Sequence, residues 1–379
     1  MTLTPPFTSN QYIVDVITPV HVGDAKEKEY FIGQDYFYND QDKKYCFFNK
    51  KELQKLLGTQ LSVYVQHLIN NNTNEASKVV KKICNENPAL IYKKVSCPFK
   101  KDTIQKVYTT GLGIPTIPGS TLKGAIRSVI GKMIMRELKI TSLGQSDLLF
   151  GKINDNFMRL IQVSDVTLDC KTKIFPFKIF SGDINGNYGP AYTGKGMWKD
   201  SRIGGHNSEF NEKGFETFYE TYSPGSRGSL RVNFGEGLIE YISKITPDKL
   251  PKNSSLLNKI KNNQWLNLIQ QHSQFYLEKE KAFFQKFQND DFDFAVDLID
   301  ELIEFNNEPN SALLRIGQGS GFHAITGDWQ HPDFTQTGLA NPNAIKSKTR
   351  KIAFNKIYHD DDDTELEFFF PGYILISQG

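Results

Sequence analysis

Two prolines and a glycine lead directly into an amphipathic helix between Gly113 and Leu138, where the chain reads GIPTIPGSTLKGAIRSVIGKMIMREL. Pro115, Pro118 and Gly119 break any helix and force an extended approach, after which Ser120 or Thr121 supplies an N-cap oxygen. At roughly 100° per residue, Leu122, Ile126, Val129, Ile130, Met133 and Ile134 fall on one stripe that must face a core. Lys123 and Arg127 line one edge of the stripe, and Ser120, Gly124, Ser128 and Gly131 form a small-residue face beside them. A mid-helix glycine costs about 1 kcal/mol against alanine, so two of them on one face imply close approach by something else. A helix N-terminus with open amides, a hydroxyl and two cations is a sound phosphate site. The same pattern also fits an ordinary core helix whose basic residues are only solvated.

With 379 residues the chain has room for two or three domains, and 39% hydrophobic with 23% charged residues is a globular composition. Lys and Arg number 45 against 43 acids, so any polyanion must be met by concentrated patches rather than by overall charge. Basic clusters at Lys78 to Lys106 and Lys346 to Lys351 do stand apart from acidic ones at Asp290 to Glu304 and Asp360 to Glu367. No apolar run is long enough to span a bilayer and Met1 to Asn10 has no signal architecture, so a cytoplasmic protein is expected. Cys46, Cys84, Cys97 and Cys170 show neither CxxC spacing nor a nearby histidine pair, which predicts reduced thiols and no zinc site.

Along the chain, Gln11 to Val16 is a first strand ending in Thr18-Pro19-Val20-His21-Val22-Gly23. Tyr36 to Tyr38 and Tyr45 to Phe48 read as a hairpin, and Lys50 to Leu57 and Gln60 to Leu68 are helical in period. Ala76 to Lys106 is basic, loosely patterned and broken by Pro88 and Pro98, so it reads as a projecting insertion. Its Tyr92, Phe99 and Tyr108 among five lysines could stack bases beside phosphates. Leu160 to Leu168 and Lys173 to Phe180 read as strands, Ser181 to Gly205 as a long glycine-rich loop, and Phe215 to Tyr222 and Ser229 to Phe234 as strands. Near Gly235-Glu236-Gly237 the character changes. Leu238 to Ile245, Leu256 to Ile269, Phe275 to Phe287 and Phe292 to Phe305 then have helical spacing, before strands at Lys351 to Tyr358 and Leu366 to Ile376. Strands and helices interleave without a regular strand–helix repeat, which predicts α+β rather than a doubly wound fold. The domains expected are 1–235, carrying the insertion near 70–107, and 236–379.

Arg315-Ile316-Gly317-Gln318-Gly319-Ser320-Gly321 is a glycine loop whose amides can face an anion, with Arg315 adding charge. It lacks dinucleotide or Walker spacing, and it also fits a tight connection between elements. His21, at the end of the first strand, is the histidine best placed for catalysis. Paired with Lys123 it would make a metal-independent ribonuclease, though a structural hydrogen bond explains it as well. Asp24 and Asp35 are isolated, and no acidic cluster has two-metal spacing.

Taken together, TPVHVG, IPTIPGSTLKGAIR, LLFGK before a strand with VSD, and the late RIGQGSGF resemble the RAMP superfamily of CRISPR effector proteins. The likeness is greatest to the fifth subunit of type III-A (Csm) complexes. It runs from about Tyr12 to Ile376, with 70–107 and 181–210 as variable insertions. The resemblance implies two ferredoxin-like (RRM-like) βαββαβ modules with helical and loop insertions. It further implies a non-catalytic subunit, without metal or cofactor, that caps the backbone filament, holds the 3′ part of the CRISPR RNA and is needed for its 3′-end maturation. Partners so implied are CRISPR RNA and the backbone and small helical subunits, with target RNA and host trimming nucleases as further candidates. Gly119, Ser120, Lys123 and Arg127 match one family motif, Arg315, Gly317, Gly319 and Gly321 another, and His21 and Gly23 the first-strand ending. With Gln318 and Ser320 of the same loop, these are the expected RNA-binding residues. The aromatic pattern by which ordinary RRMs stack bases is missing, so phosphate and shape contacts should dominate. Two other readings stay open: a CRISPR-RNA-processing endoribonuclease using His21, and a backbone subunit cleaving target RNA through Asp24 or Asp35.

Overall fold

In the computed structural model the described residues are 8–137, 150, 157–183, 194–201, 205–235, 264–287, 293–321, 348–358 and 364–379. They form a mixed α+β fold around two large sheets. The five-stranded sheet runs in the order β15 (Ser311–Arg315), β18 (Tyr373–Gln378), β1 (Thr8–Val16), β14 (Arg227–Phe234) and β8 (Ile161–Val163), with every neighbouring pair antiparallel. Alternation in β1 decides its faces: Tyr12, Val14 and Val16 are buried, while Gln11 and Asp15 turn the other way. Against the buried face lie Leu122, Ile126, Val129 and Ile130 of α4 (Gly119–Glu137) and Trp265, Leu266, Leu268 and Ile269 of α5 (Trp265–Phe284). The indole of Trp265 donates to the Tyr12 hydroxyl at 2.8 Å, fixing α5 on the sheet. The opposite face of β1 and β14 carries Gln11, Asp15, Arg227, Ser229 and Arg231, and among the described residues no aromatic ring.

The second sheet centres on β10 (Thr172–Asp183), flanked by β13 (Glu216–Tyr222), β11 (Lys195–Lys199) and β16 (Lys348–Tyr358), with β17 (Thr364–Phe369) outside β16. Beyond β13 come β6 (Thr103–Gln105) and β2 (Glu29–Phe31). A phenylalanine-rich core between the two sheets joins Phe180, Phe284, Leu313 and Leu375 to Ile299 and Leu302 of α6 (Asp293–Asn306). Strands from either side of residue 235 meet in both sheets, as the β1–β18 and β10–β16 pairs show. No helix of the described residues is long and apolar enough to cross a membrane.

Several expectations change. Residues 76–106 are not a loose arm: α3 (Thr73–Glu86) buries Ala76, Val80, Ile83 and Cys84, and β5 (Ile91–Ser96) pairs with β4 (Lys44–Phe48) of the hairpin begun by β3 (Tyr36–Asn39). That apolar spacing is helical but dispersed among lysines, and Pro88 only ends the helix. With α1 (Lys50–Leu57) and α2 (Leu61–Ile69), these elements enclose a core of their own around Phe37, Leu53 and Val80. The single strand expected over Leu160 to Leu168 is interrupted at Ser164 and Asp165 between β8 and a short β9 (Val166–Thr167). Ser181 to Gly205 contains β11 rather than only loop. The separate helices ending at Ile269 and starting at Phe275 are one, because residues 270–274 are polar but helix-tolerant. Leu238 to Ile245, the turn at Asp360 to Asp363, and Phe322 lie outside the described residues.

Candidate functional site

Three short segments interlock where β1 ends. The chain from Ile17 to Gly23 leaves the central sheet, and Ile17 and Thr18 donate backbone N–H bonds to the Tyr373 carbonyl at 3.0 and 3.2 Å. The Gly372 N–H donates to the Pro19 carbonyl at 2.9 Å, and the Gln318 N–H donates to the His21 carbonyl at 2.8 Å. Gly317 has φ of 76°, and a Cβ there would sit 2.3 Å from the His21 oxygen. Gly372 is equally confined, with φ of 101° and the Ile316 oxygen 2.4 Å from its would-be Cβ. Only glycine tolerates both the angle and the contact. The structure thus brings the expected His21 and glycine-loop residues together, in contact with one another.

Arg315 is used inside this knot. Its guanidinium donates to the Pro371 carbonyl at 3.1 Å, the Tyr276 hydroxyl at 3.1 Å and the Gly319 carbonyl at 3.4 Å, and it lies over the Tyr373 ring. Ser320 is buried and donates to the Gly317 carbonyl at 2.8 Å. Gln318 and Gly23 are exposed, and Gly321 opens on unfilled space.

His21 is 1% exposed; its Nδ1–H donates to the Glu220 carbonyl at 2.7 Å, and its ring meets Tyr219 edge-on at 4.8 Å. Burial pushes its pKa down to about 4, against partial opposition from the Glu220 backbone and charge. It is a neutral, packed imidazole at pH 7. The Glu220 carboxylate is fully buried, compensated by Lys93, by the Thr172 hydroxyl at 2.6 Å and by the Val107 N–H at 3.4 Å. Sequence reading missed this buried acid because Glu216 and Glu220 of the same strand carry no local sign of which one is buried.

The N-terminus of α4 also differs from expectation. The helix begins at Gly119, whose N–H donates to the Asp165 carboxylate at 2.6 Å, so the cap comes from the turn between β8 and β9 rather than from Ser120 or Thr121. A Cβ on Gly119 would lie 2.3 Å from the Val163 carbonyl, which fixes glycine at that contact. The amide end proposed for a phosphate is therefore taken in part by a carboxylate. The Asp165 role has a weak signal in sequence, an acid in a turn-prone Ser-Asp pair.

Lys123 and Arg127, by contrast, have no ion-pair partner among the described residues. Arg127 is exposed and lies over the Phe150 ring, 4.5 Å from its centroid, and Lys123 is half-buried with its pKa lowered by that burial. Between them Gly124 is exposed, and a Cβ there would meet nothing within 4 Å. Ser120 is exposed one turn earlier. The insertion lysines are largely committed: Lys93 to Glu220, Lys101 to Glu216 at 2.6 Å, and Lys106 to Glu27 at 2.5 Å. Phe99 packs against Phe354, leaving Tyr92 as the exposed aromatic of that region. Asp24 accepts the Lys26 and Glu27 N–H groups, and Asp35 accepts the Phe31 N–H and pairs with Lys50. Among the described residues no group of three His, Cys, Asp or Glu could hold a metal ion.

The fold has known counterparts. A chain of the cryo-EM structure of a Csm–crRNA–target RNA ternary complex in a type III-A CRISPR-Cas system superposes with TM-score 0.62 at 14% identity, covering 98% of this chain and 100% of that one. The crystal structure of T. onnurineus Csm5 gives TM-score 0.57 at 12% identity, covering 96% and 99%. No curated protein matches the chain. The family model of the RAMP superfamily matches residues 13–322, which include the first-strand ending, the α4 motif and the glycine loop, and the chain belongs to that superfamily.

Proposed function

We propose that this protein is a CRISPR-RNA-binding structural subunit of a type III-A interference complex, capping the backbone filament at the 3′ end of the guide and required for its 3′-end maturation. Family membership and the likeness in fold to Csm chains support the complex. One observation carries the RNA contact. Gly124 is a helix-interior glycine with open space at its would-be Cβ, flanked by Lys123 and Arg127, which have no ion-pair partner among the described residues. Among the described residues nothing requires that glycine, and we read its cost of about 1 kcal/mol as room for an outside backbone approaching the helix. In this reading Lys123 and Arg127 contact successive phosphates and Ser120 adds a hydroxyl, giving little sequence preference.

The order β1–α4–β8–β14–α5–β18, with β18, β1, β14 and β8 side by side, is how we read one ferredoxin-like module, and the glycine loop leaves its extra edge strand β15. A non-catalytic role is favoured by the sealed His21 ring and by Asp24 and Asp35 serving as turn acceptors.

The test is a Lys123→Ala, Arg127→Ala double variant titrated with single-stranded guide RNA. Affinity should fall about tenfold, and the slope of log K against log salt should become shallower by about 1.4, with the melting temperature unchanged. Wild-type affinity and slope in the double variant would refute the proposed contact.

A further inference from the structure

A different surface concerns proteins rather than RNA. α2 reads LSVYVQHLI and contains no Asp, Glu, Lys or Arg. Most of its residues are apolar, a composition suited to an interior, yet Tyr64 is its one buried residue, anchored by its hydroxyl to the Gly33 carbonyl at 2.8 Å. Ile69 is 73% exposed, Val63 51%, Val65 40% and Leu61 37%, and Leu56 at the end of α1 adds 49%. Leu61, Val65 and Ile69 recur every four residues and form one exposed stripe, whereas Val63 lies on the other side of the helix. Clustering of this kind marks an interaction site, whereas scattered single residues do not.

The surroundings say what kind of partner fits. Residues 50–86 carry six lysines against three glutamates, all on α1 and α3, and α3 packs beside the uncharged α2 and against α1. Lys50, Lys55 and Lys78 pair with Asp35, Glu52 and Glu75. Lys51 and Lys82 are exposed on these flanking helices. We infer that the α2 face, with Leu56, is a docking site for a neighbouring protein subunit that presents an apolar strip flanked by acidic side chains. A second copy in a symmetric contact would set one lysine rim against another, which disfavours self-association. Nucleic acid would find no cation and no aromatic on the apolar strip beyond the inward-facing Tyr64. The inference rests on the subunit role proposed above.

The experiment expresses the full chain with the remaining subunits of its complex and reads its stoichiometry by native mass spectrometry, for the wild type and a Val65→Glu, Ile69→Glu variant. Both positions are exposed, so the isolated variant should keep the wild-type melting temperature and RNA affinity. Its occupancy in the complex should fall at least tenfold, and Lys51→Glu with Lys82→Glu should lower occupancy in a salt-dependent way. Wild-type occupancy of the Val65→Glu, Ile69→Glu variant overturns the inference while leaving the subunit role intact. Failure of the wild type itself to enter the complex overturns the subunit role, and the inference with it. Concentration-dependent dimers of the isolated wild type that disappear in the variant overturn it in favour of a second copy.

Discussion

The glycine loop at 315–321 and the first turns of α4 have the same ingredients, an arginine, small residues and a serine, and the fold uses them in opposite ways. In the loop Arg315, Gly317 and Ser320 are turned inward. Arg315 is consumed by two carbonyls, a hydroxyl and a ring, and Gly317 is pressed on the His21 carbonyl. On α4 the groups are left over: among the described residues Arg127 lies over one ring, and a Cβ on Gly124 would meet nothing within 4 Å. A cation beside glycines therefore signals an anion site only when the protein has not already satisfied it. The loop is a fastener between the two sheets, and the helix is a surface.

The contrast can be broken at four points. Gly317→Val should destabilise the fold by about 4 kcal/mol, since it adds left-handed strain to an overlap with backbone. A urea midpoint close to the wild type would show that the loop is not a fastener.

Acid should loosen the same knot. His21 binds its proton at about pH 4 in the fold and near 6.5 when unfolded, so protonation favours the unfolded chain. Its contribution is complete above pH 6.5 and falls by about 3 kcal/mol as pH drops to 4. A His21→Gln variant should lack that part of the pH dependence in paired urea titrations at pH 7 and 4.5.

The two arginines should separate cleanly. Arg315→Ala should cost about 2 kcal/mol of stability by leaving buried acceptors unpaired, with RNA affinity unchanged at temperatures where it is folded. Arg127→Ala should do the reverse. If both act alike in melting and filter-binding measurements, the distinction fails.

The smallest effect is of opposite sign. Gly124→Ala should stabilise the chain by roughly 0.5–1 kcal/mol, because the helix gains and nothing is displaced. The same change should weaken RNA binding if a phosphate backbone comes close to that position. Calorimetry and an RNA titration on one preparation would show both.

Much of the fold was legible because its signals are local. The alternation of β1, the hairpin at 36–48 and the stripe on α4 depend on residues near in sequence. What could not be read depends on pairing over long separations. Asp165 capping Gly119, Lys93 compensating Glu220 and Gln318 held by His21 link positions whose sequence neighbours give no hint of the partner. For that reason the candidate site was legible as a set of residues but not as a division of labour. Arg315 and Arg127 look equivalent until their surroundings are known. The basic stretch at 76–106 misleads for a similar reason, since its lysines report the outer face of α3 and the middle of β5, while the apolar faces determine the structure.

The central sheet also imposes a schedule. β1 lies between β14 and β18, and the Tyr12–Gln378 pairing joins residues at opposite extremes of the described chain. During synthesis β14 can cover one side of β1 soon after it emerges, but the other side waits until Tyr373 and its successors have been made. At ribosomal speed that interval is on the order of ten seconds. For that time a hydrophobic strand stands with one row of amides and carbonyls unpaired, open to capture by another nascent chain. Soluble yield of this protein should therefore respond to translation rate and chaperone supply during that interval as well as to the stability of the finished sheet.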